Sequence, residues 1–100
     1  MSFAFKRVGS LLLTRGVNEM VADNKAFAEY VIHSLTRFHN GDWGDVCKED
    51  WQANNDSLND GSRVIAAYKQ KGLPKIWIIA EAENEQGIRE AVTVLFPEEY

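Results

Sequence analysis

The chain has 100 residues, a length typical of one domain (residues 1–100), and 45% of them are apolar, as in ordinary globular proteins. Its net charge of −4 argues against non-specific binding to nucleic acid, which depends on Lys and Arg that neutralise phosphates. The single cysteine, Cys47, excludes an intramolecular disulfide. The apolar runs are too short to span a bilayer, and the start lacks the apolar region of a signal peptide. We therefore expect a cytoplasmic protein without a membrane partner.

The first 40 residues predict a strand followed by a helix. Residues 8–14 favour the strand, and Arg15-Gly16 interrupts it. The side chain of Asn18 or Asp23 suits the cap of the helix that follows. Apolar residues then recur with the spacing of one helical face, at Phe27, Val31, Leu35 and Phe38. We expect this helix to end at Asn40-Gly41, a pair suited to a left-handed turn.

The most unusual stretch is 39–51, which contains two tryptophans, two glycines and four carboxylates. Short polar side chains that precede a helix accept hydrogen bonds from its unpaired N–H groups. We therefore expect Asp45 to cap a second helix over residues 46–60. Asp42, which lies earlier in the loop, is expected to bond within its own turn.

Two asparagines interrupt the apolar face of this second helix between Trp51 and Leu58. Because a buried amide without a partner costs about 1–3 kcal/mol, we expect Asn54 or Asn55 to be buried and hydrogen-bonded to the backbone. Trp43 lies in the turn before the helix, and two interpretations remain open. It can plug the core, or it can stand out as an anchor for a partner.

The second half of the chain predicts three consecutive strands. Residues 62–68 and 75–80 favour a hairpin joined by 70–74, and residues 90–96 alternate as a further strand. The predicted order is β-α-α-β-β-β. This order defines an α+β fold in which an antiparallel sheet of three to four strands carries two helices on one face.

The unusual loop does not complete a catalytic or metal motif. It lacks the spacing of a calcium loop, and one cysteine with one neighbouring histidine is a thin ligand set for zinc. Cys47 with His39 as a base would form a nucleophile pair, but a single cysteine on the apolar side of a helix is more typically a small buried residue. We therefore expect no catalytic residue, no metal and no cofactor.

Charge is unevenly distributed along the chain. Residues 40–60 and residues 81–100 each carry a net charge of −5, whereas residues 61–80 carry +4. One interpretation is solvated faces and internal ion pairs; the other is an acidic surface that meets a basic groove of a protein partner. The candidate interaction residues are the loop residues Asp42, Trp43 and Asp45 and the later carboxylates Asp56, Asp60, Glu81, Glu83, Glu85 and Glu90.

Several short motifs together resemble a family of small uncharacterised bacterial proteins often found on plasmids, phages and other mobile elements. These motifs are Gly41-Asp-Trp-Gly-Asp-Val46, Glu49-Asp50, Asn54, Gly61, Arg63, Tyr68, Lys75-Ile-Trp-Ile-Ile79 and Pro97-Glu-Glu-Tyr100. This chain differs in having Phe38 where the family has a histidine, and in a longer, acidic stretch at 81–90. The family has no established activity or catalytic residues to carry over.

The resemblance implies a non-enzymatic protein-binding module that inhibits a host defence system, either restriction or CRISPR. The partner would be a protein with a basic surface, such as a nuclease or a nucleic-acid-binding complex, and the chain would not bind nucleic acid directly. The alternative is a regulatory domain with a small-ligand site in the loop from His39 to Asp45. A third possibility is a hydrolase that uses Asp42, Asp45 and His39.

Overall fold

The computed structural model of the protein describes residues 4–100, and the first three residues of the predicted domain lie outside that range. The described elements are β1 (Val8–Leu13), α1 (Arg15–Asp23), α2 (Lys25–His39), α3 (Lys48–Asp60), β2 (Val64–Gln70), β3 (Leu73–Ala80), β4 (Arg89–Leu95) and a short 3-10 helix (Pro97–Glu99). The predicted α+β class is confirmed, with one helix more than the sequence predicted.

The additional helix is α1, which begins at Arg15, directly after the first strand ends as predicted. Thr14 caps it, because the Thr14 hydroxyl accepts a hydrogen bond from the N–H of Val17 over 3.4 Å. Gly16 lies in the first turn, where a Cβ atom would come within 2.8 Å of Glu99 Oε2. The glycine therefore permits close packing against the C-terminal turn.

The second helix, α2, begins after Asn24, whose Oδ1 accepts a hydrogen bond from the N–H of Phe27 over 3.0 Å. The prediction that Asn18 or Asp23 caps a helix is wrong, because both residues lie inside α1. The predicted end of α2 is confirmed. Gly41 follows it with φ of 80°, a left-handed conformation that favours glycine.

The four strands form one sheet in the order β1-β4-β3-β2. The last three form the predicted antiparallel meander. β1 joins this meander in parallel beside β4, with Leu11 next to Val92 and Leu13 next to Val94. The first and last strands of the chain are therefore neighbours, so β1 and β2 are the two edges of the sheet.

Helices α1 and α2 cover one face of the sheet and enclose the core with it. Their buried core residues are Val17, Phe27, Tyr30, Val31 and Phe38, and those of the strands are Val64, Ala66, Tyr68, Ile76, Ile78, Ala80, Val92 and Val94. Directly paired residues of neighbouring strands share a face. Leu12, Thr93, Ile79 and Ile65 therefore form a row on the opposite face, which we call the outer face.

Candidate functional site

The loop after α2 is held by Asp42, whose two carboxylate oxygens both accept hydrogen bonds. Arg37 Nε lies 2.8 Å from Asp42 Oδ2, and Arg37 Nη2 lies 3.2 Å from Oδ1. The N–H of Gly44 also donates to Oδ1 over 3.0 Å, which confirms that Asp42 bonds within its own turn. The guanidinium of Arg37 holds the pKa of Asp42 below its ordinary value, and the Gly44 N–H contributes in the same direction.

Trp43 plugs the core, which decides between the two interpretations of this residue. Its side chain is fully buried. The ring centroid of Trp43 lies 5.9 Å from that of Phe5 and 5.5 Å from that of Phe38. Its Nε1 donates a hydrogen bond to Asn55 Oδ1 over 2.9 Å. A side chain without exposed surface does not anchor a partner, so the contribution of Trp43 is to the fold.

Asp45 does not cap α3, and this prediction is wrong. Helix α3 begins after Cys47, which forms no side-chain capping bond among the described residues. The carboxylate of Asp45 instead lies 2.8 Å from Lys69 Nζ, and its N–H donates to the carbonyl of Ala67 over 2.6 Å. This backbone bond draws the loop against β2 and leaves Asp45 two residues before the capping position.

The same loop and α3 close the free edge of β2. Gly44 forms an isolated parallel bridge to Ala67. Nearer the start of β2, Asn54 donates to the carbonyl of Ile65 over 2.8 Å and accepts from the N–H of Ile65 over 3.3 Å. Asn54 thus satisfies both backbone groups of an edge residue, as a neighbouring strand would. The prediction that one of the two asparagines is buried and bonded to the backbone is confirmed.

Two of the predicted carboxylates, Asp60 and Glu83, lie where α3 ends and the β3–β4 connection folds back. The N–H of Glu83 donates to the carbonyl of Gly61 over 2.8 Å, which places the connection against the residue after Asp60. The N–H of Glu81 donates to the carbonyl of Ala91 over 3.0 Å. We define the acidic end as the six carboxylates Asp56, Asp60, Glu81, Glu83, Glu85 and Glu90.

Four of the six carboxylates of the acidic end have partners in the fold. The pairs are Asp56–Gln52, Asp60–Ser62, Glu83–Arg89 and Glu90–Asn84. Glu81 and Glu85 are exposed and have no side-chain partner within residues 4–100. Within residues 4–100, Glu81 and Glu85 are therefore the two members of the acidic end whose carboxylates have no partner.

A buried arginine, Arg89, lies beside the acidic end, and no sequence pattern indicated it. The side chain of Arg89 is 3% exposed. Its Nη1 donates to the carbonyls of Ser62 and Glu81 over 2.7 and 3.0 Å, and its Nη2 donates to the carbonyl of Ser57 over 2.8 Å. Burial lowers the pKa of Arg89. No local pattern marks this residue, because a lone arginine before a strand resembles any surface cation.

A groove of about 490 Å³ runs between α3 and the outer face of the sheet. Its walls combine both charges with aromatic rings, at Asp45, Asp50, Arg63, Lys75, Trp77 and Tyr100. The Tyr100 ring packs against Trp77 with the centroids 5.5 Å apart, and its hydroxyl accepts a hydrogen bond from Arg63 Nη2. The groove therefore presents both positive and negative groups beside aromatic rings.

The candidate nucleophile and base lie in different surroundings. Cys47 is exposed at the groove, so the expectation of a small buried residue is wrong. The ring centroid of His39 lies 6.2 Å from that of Phe5 and 6.0 Å from that of Phe38, and burial lowers its pKa. Among residues 4–100, no group of three or more His, Cys, Asp or Glu side chains has an arrangement that could hold a metal ion.

Comparison with known proteins adds no relative from which a function can be transferred. No protein-family model, curated protein or solved structure matches this chain. The family resemblance described above therefore stays a prediction. None of the helices within residues 4–100 combines the length and the apolar character that crossing a bilayer requires.

Proposed function

We propose that the protein is a non-enzymatic, cytoplasmic binding module of the mobile-element type, whose acidic end docks on a basic surface of a partner protein. The observation that carries the proposal is the convergence of carboxylates from α3 and the β3–β4 connection. Within residues 4–100, the exposed carboxylates of Glu81 and Glu85 have no partner. Of the neighbouring cations, Arg89 donates hydrogen bonds to backbone carbonyls, and Arg7 Nη1 donates to the carbonyl of Gln86.

The acidic end is held in place before any partner arrives. Besides the bond from Glu83 to Gly61, the side chain of Asn84 accepts from the N–H groups of Gln86 and Ile88 over 2.9 and 3.0 Å. A connection fixed in this way loses little conformational freedom on binding. Exposed carboxylates on a backbone held in this way also speed the encounter with a positively charged surface.

The partner that best fits this chemistry is a nuclease or nucleic-acid-binding complex of a host restriction or CRISPR system. A groove that holds nucleic acid presents Lys and Arg to phosphates, and a fixed group of carboxylates competes for the same cations. The resemblance to proteins of mobile elements favours this class of partner. The same carboxylates repel phosphates, so the protein itself does not bind nucleic acid directly.

The test compares two double variants with equal changes of charge. Glu81→Lys with Glu85→Lys alters the two carboxylates that lack partners in the fold. Asp23→Lys with Glu29→Lys makes the same change at exposed positions of α1 and α2. After circular dichroism has shown that both variants fold, each tagged protein is used to capture partners from a bacterial host lysate. We expect the wild type and the control to retain a partner that the acidic-end variant loses.

The salt dependence of binding gives a second readout of the same proposal. Calorimetry with the captured partner should show that wild-type affinity falls as the salt concentration rises, because ions screen the exposed charges. Equal capture by all three proteins, together with an affinity that does not respond to salt, would overturn the acidic end as the binding surface.

A further inference from the structure

The two edge strands of the sheet differ in whether their outer backbone groups are paired. The edge of β2 is closed by Gly44 and Asn54, whereas no element within residues 4–100 pairs with the outer edge of β1. The side chains of Leu11 and Leu12 on β1 are 55% and 48% exposed. Folded proteins normally protect an edge with charge, proline or a cover, because an open apolar edge invites another strand. None of the residues of β1 is charged.

We infer that the open edge of β1 pairs with β1 of a second copy of this chain, antiparallel about a two-fold axis at Leu12. The N–H of Thr14 donates to the carbonyl of Val94 over 3.1 Å, so the backbone of Thr14 faces β4. The N–H and C=O groups of successive residues point to opposite sides of a strand. Those of Leu12 therefore also face β4, and those of Leu11 and Leu13 face the open edge. These exposed N–H and C=O groups of one copy match those of the other in an antiparallel ladder.

The side chains of β1 are self-complementary in this register. Leu12 meets Leu12 of the other copy on the outer face. Leu11 of one copy lies opposite Leu13 of the other, on the face of the sheet that α1 and α2 cover. Within one copy, these two leucines pair with Val92 and Val94 of β4, whose side chains are buried on that face. Cross-strand apolar pairs of this kind stabilise a sheet, and the half-exposed leucines are the area that pairing removes from water.

The polar residues that flank the leucines also suit a second copy. Ser10 meets Thr14, a pair of small hydroxyl residues. Arg15, the next residue, already belongs to α1, and its guanidinium is bonded to Glu19 Oε1 over 3.1 Å. No two like charges therefore oppose each other in the paired segment.

The acidic ends of the two copies lie far apart in this dimer. Val8, at the start of β1, pairs with Arg89 beside the acidic end. Antiparallel pairing centred near the other end of β1 places the two acidic ends at opposite ends of the joined sheet. Their mutual repulsion is therefore small, and the second copy is compatible with the net charge of the chain. The inference does not rest on the proposed function.

Sedimentation velocity over a concentration series tests the dimer. We expect the wild type to approach twice the chain mass of 11.3 kDa as its concentration rises. Leu12→Lys places like charges opposite each other and should keep the chain monomeric. Ile32→Lys makes the same change at a 65% exposed position on α2 and should leave the dimer intact. A wild type that stays monomeric throughout, or a Leu12→Lys variant that still dimerises, would overturn the inference.

A cross-linking experiment tests the register and does not depend on the stability of the lysine variant. Cys47 is first replaced by serine, and Leu12→Cys is then introduced. Non-hydrogen-bonded residues that face each other in an antiparallel pair have Cα atoms about 4.5 Å apart, which suits a disulfide. Mild oxidation should therefore give a covalent dimer, whereas Ile32→Cys in the same background should give none. Equal cross-linking at both positions would contradict this register.

Discussion

The indole N–H of Trp43 donates a hydrogen bond of 2.9 Å to Asn55, from a ring that has no exposed surface. The loop before α3 and the middle of α3 are thereby joined through two side chains. Neighbouring Asn54 faces the backbone of β2. The two adjacent asparagines thus attach one helix to both the loop and the sheet.

We predict that Asn55→Ala lowers the free energy of unfolding by about 1–3 kcal/mol, because it leaves a buried donor unpaired. Urea unfolding measures this change. Asn59→Ala is the matched control, since Asn59 is exposed near the end of the same helix and should change stability little. Equal stability of the two variants would show that the bond from Trp43 contributes nothing measurable.

Replacing Gly44 should be far more damaging than replacing another glycine with the same backbone conformation. Gly44 has φ of 74° and Gly72 has φ of 84°. A left-handed alanine costs about 1–2 kcal/mol, and this is the full effect expected for Gly72→Ala, whose Cβ would meet open space. In Gly44→Ala, the Cβ would collide with the carbonyl of Ala67, so we expect a much larger loss or failure to fold. Thermal unfolding of the two variants checks this difference.

Stability should depend on pH through Asp42. Arg37 lowers the pKa of Asp42 from its ordinary value of 3.8, so the folded state favours the ionised carboxylate. This contribution is complete above pH 3.8 and is lost as the pH falls through the lower pKa of the folded state. Asp42→Asn should therefore be less stable than the wild type at neutral pH, and the difference should shrink in acid. Urea unfolding over a pH series measures this, with Glu29→Gln as the control. A difference in free energy of unfolding between the wild type and Asp42→Asn that stayed constant with pH would contradict the prediction.

Asp45→Ala should leave the melting temperature close to that of the wild type. Its carboxylate pairs with Lys69 at the surface, where ion pairs contribute little, and it does not cap α3. Asp42→Ala is the natural comparison, because that carboxylate accepts hydrogen bonds from Arg37 and from the loop backbone. A loss in Asp45→Ala as large as that in Asp42→Ala would restore the capping role.

Arg89→Lys should destabilise the fold although it preserves the charge. The two terminal nitrogens of Arg89 reach the carbonyls of three different residues, and a single ammonium cannot reproduce that fork. A buried carbonyl that loses its donor costs about 1–3 kcal/mol. Urea unfolding should show this loss for Arg89→Lys, whereas Arg63→Lys, at an exposed position, should unfold nearly as the wild type does.

The parts of the fold that could be predicted from the sequence are those that depend on residues close together in the chain. The apolar face of α2, the left-handed turn at Gly41 and the three β-prone runs of the meander each follow from neighbouring residues. Asn54 was predictable for a related reason, since an amide on an apolar stripe needs a partner. These features depend little on contacts with residues that are distant in the sequence.

The features that the sequence did not reveal depend on distant contacts. Gly16 was predicted to end the first strand, but the sequence did not show that it also lies in a helix, packed close to Glu99. Asp45 has the position of a cap, but the bond from its N–H to Ala67 draws the loop elsewhere. Arg89 becomes distinctive only when α3 and β3 end beside it. In the candidate site, the acidic residues were found from charge, but their partners in the fold were not.

The parallel pairing of β1 with β4 has a consequence for synthesis of the protein on the ribosome. Leu13 pairs with Val94, so β1 emerges from the exit tunnel long before its neighbour in the sheet has been translated. The nascent chain therefore carries three consecutive leucines, Leu11 to Leu13, without their neighbouring strand until β4 has emerged. Contacts between such distant residues form slowly, and exposed strands associate with other chains while they wait. During that interval, the first strand is the segment of the sheet most exposed to association with other chains.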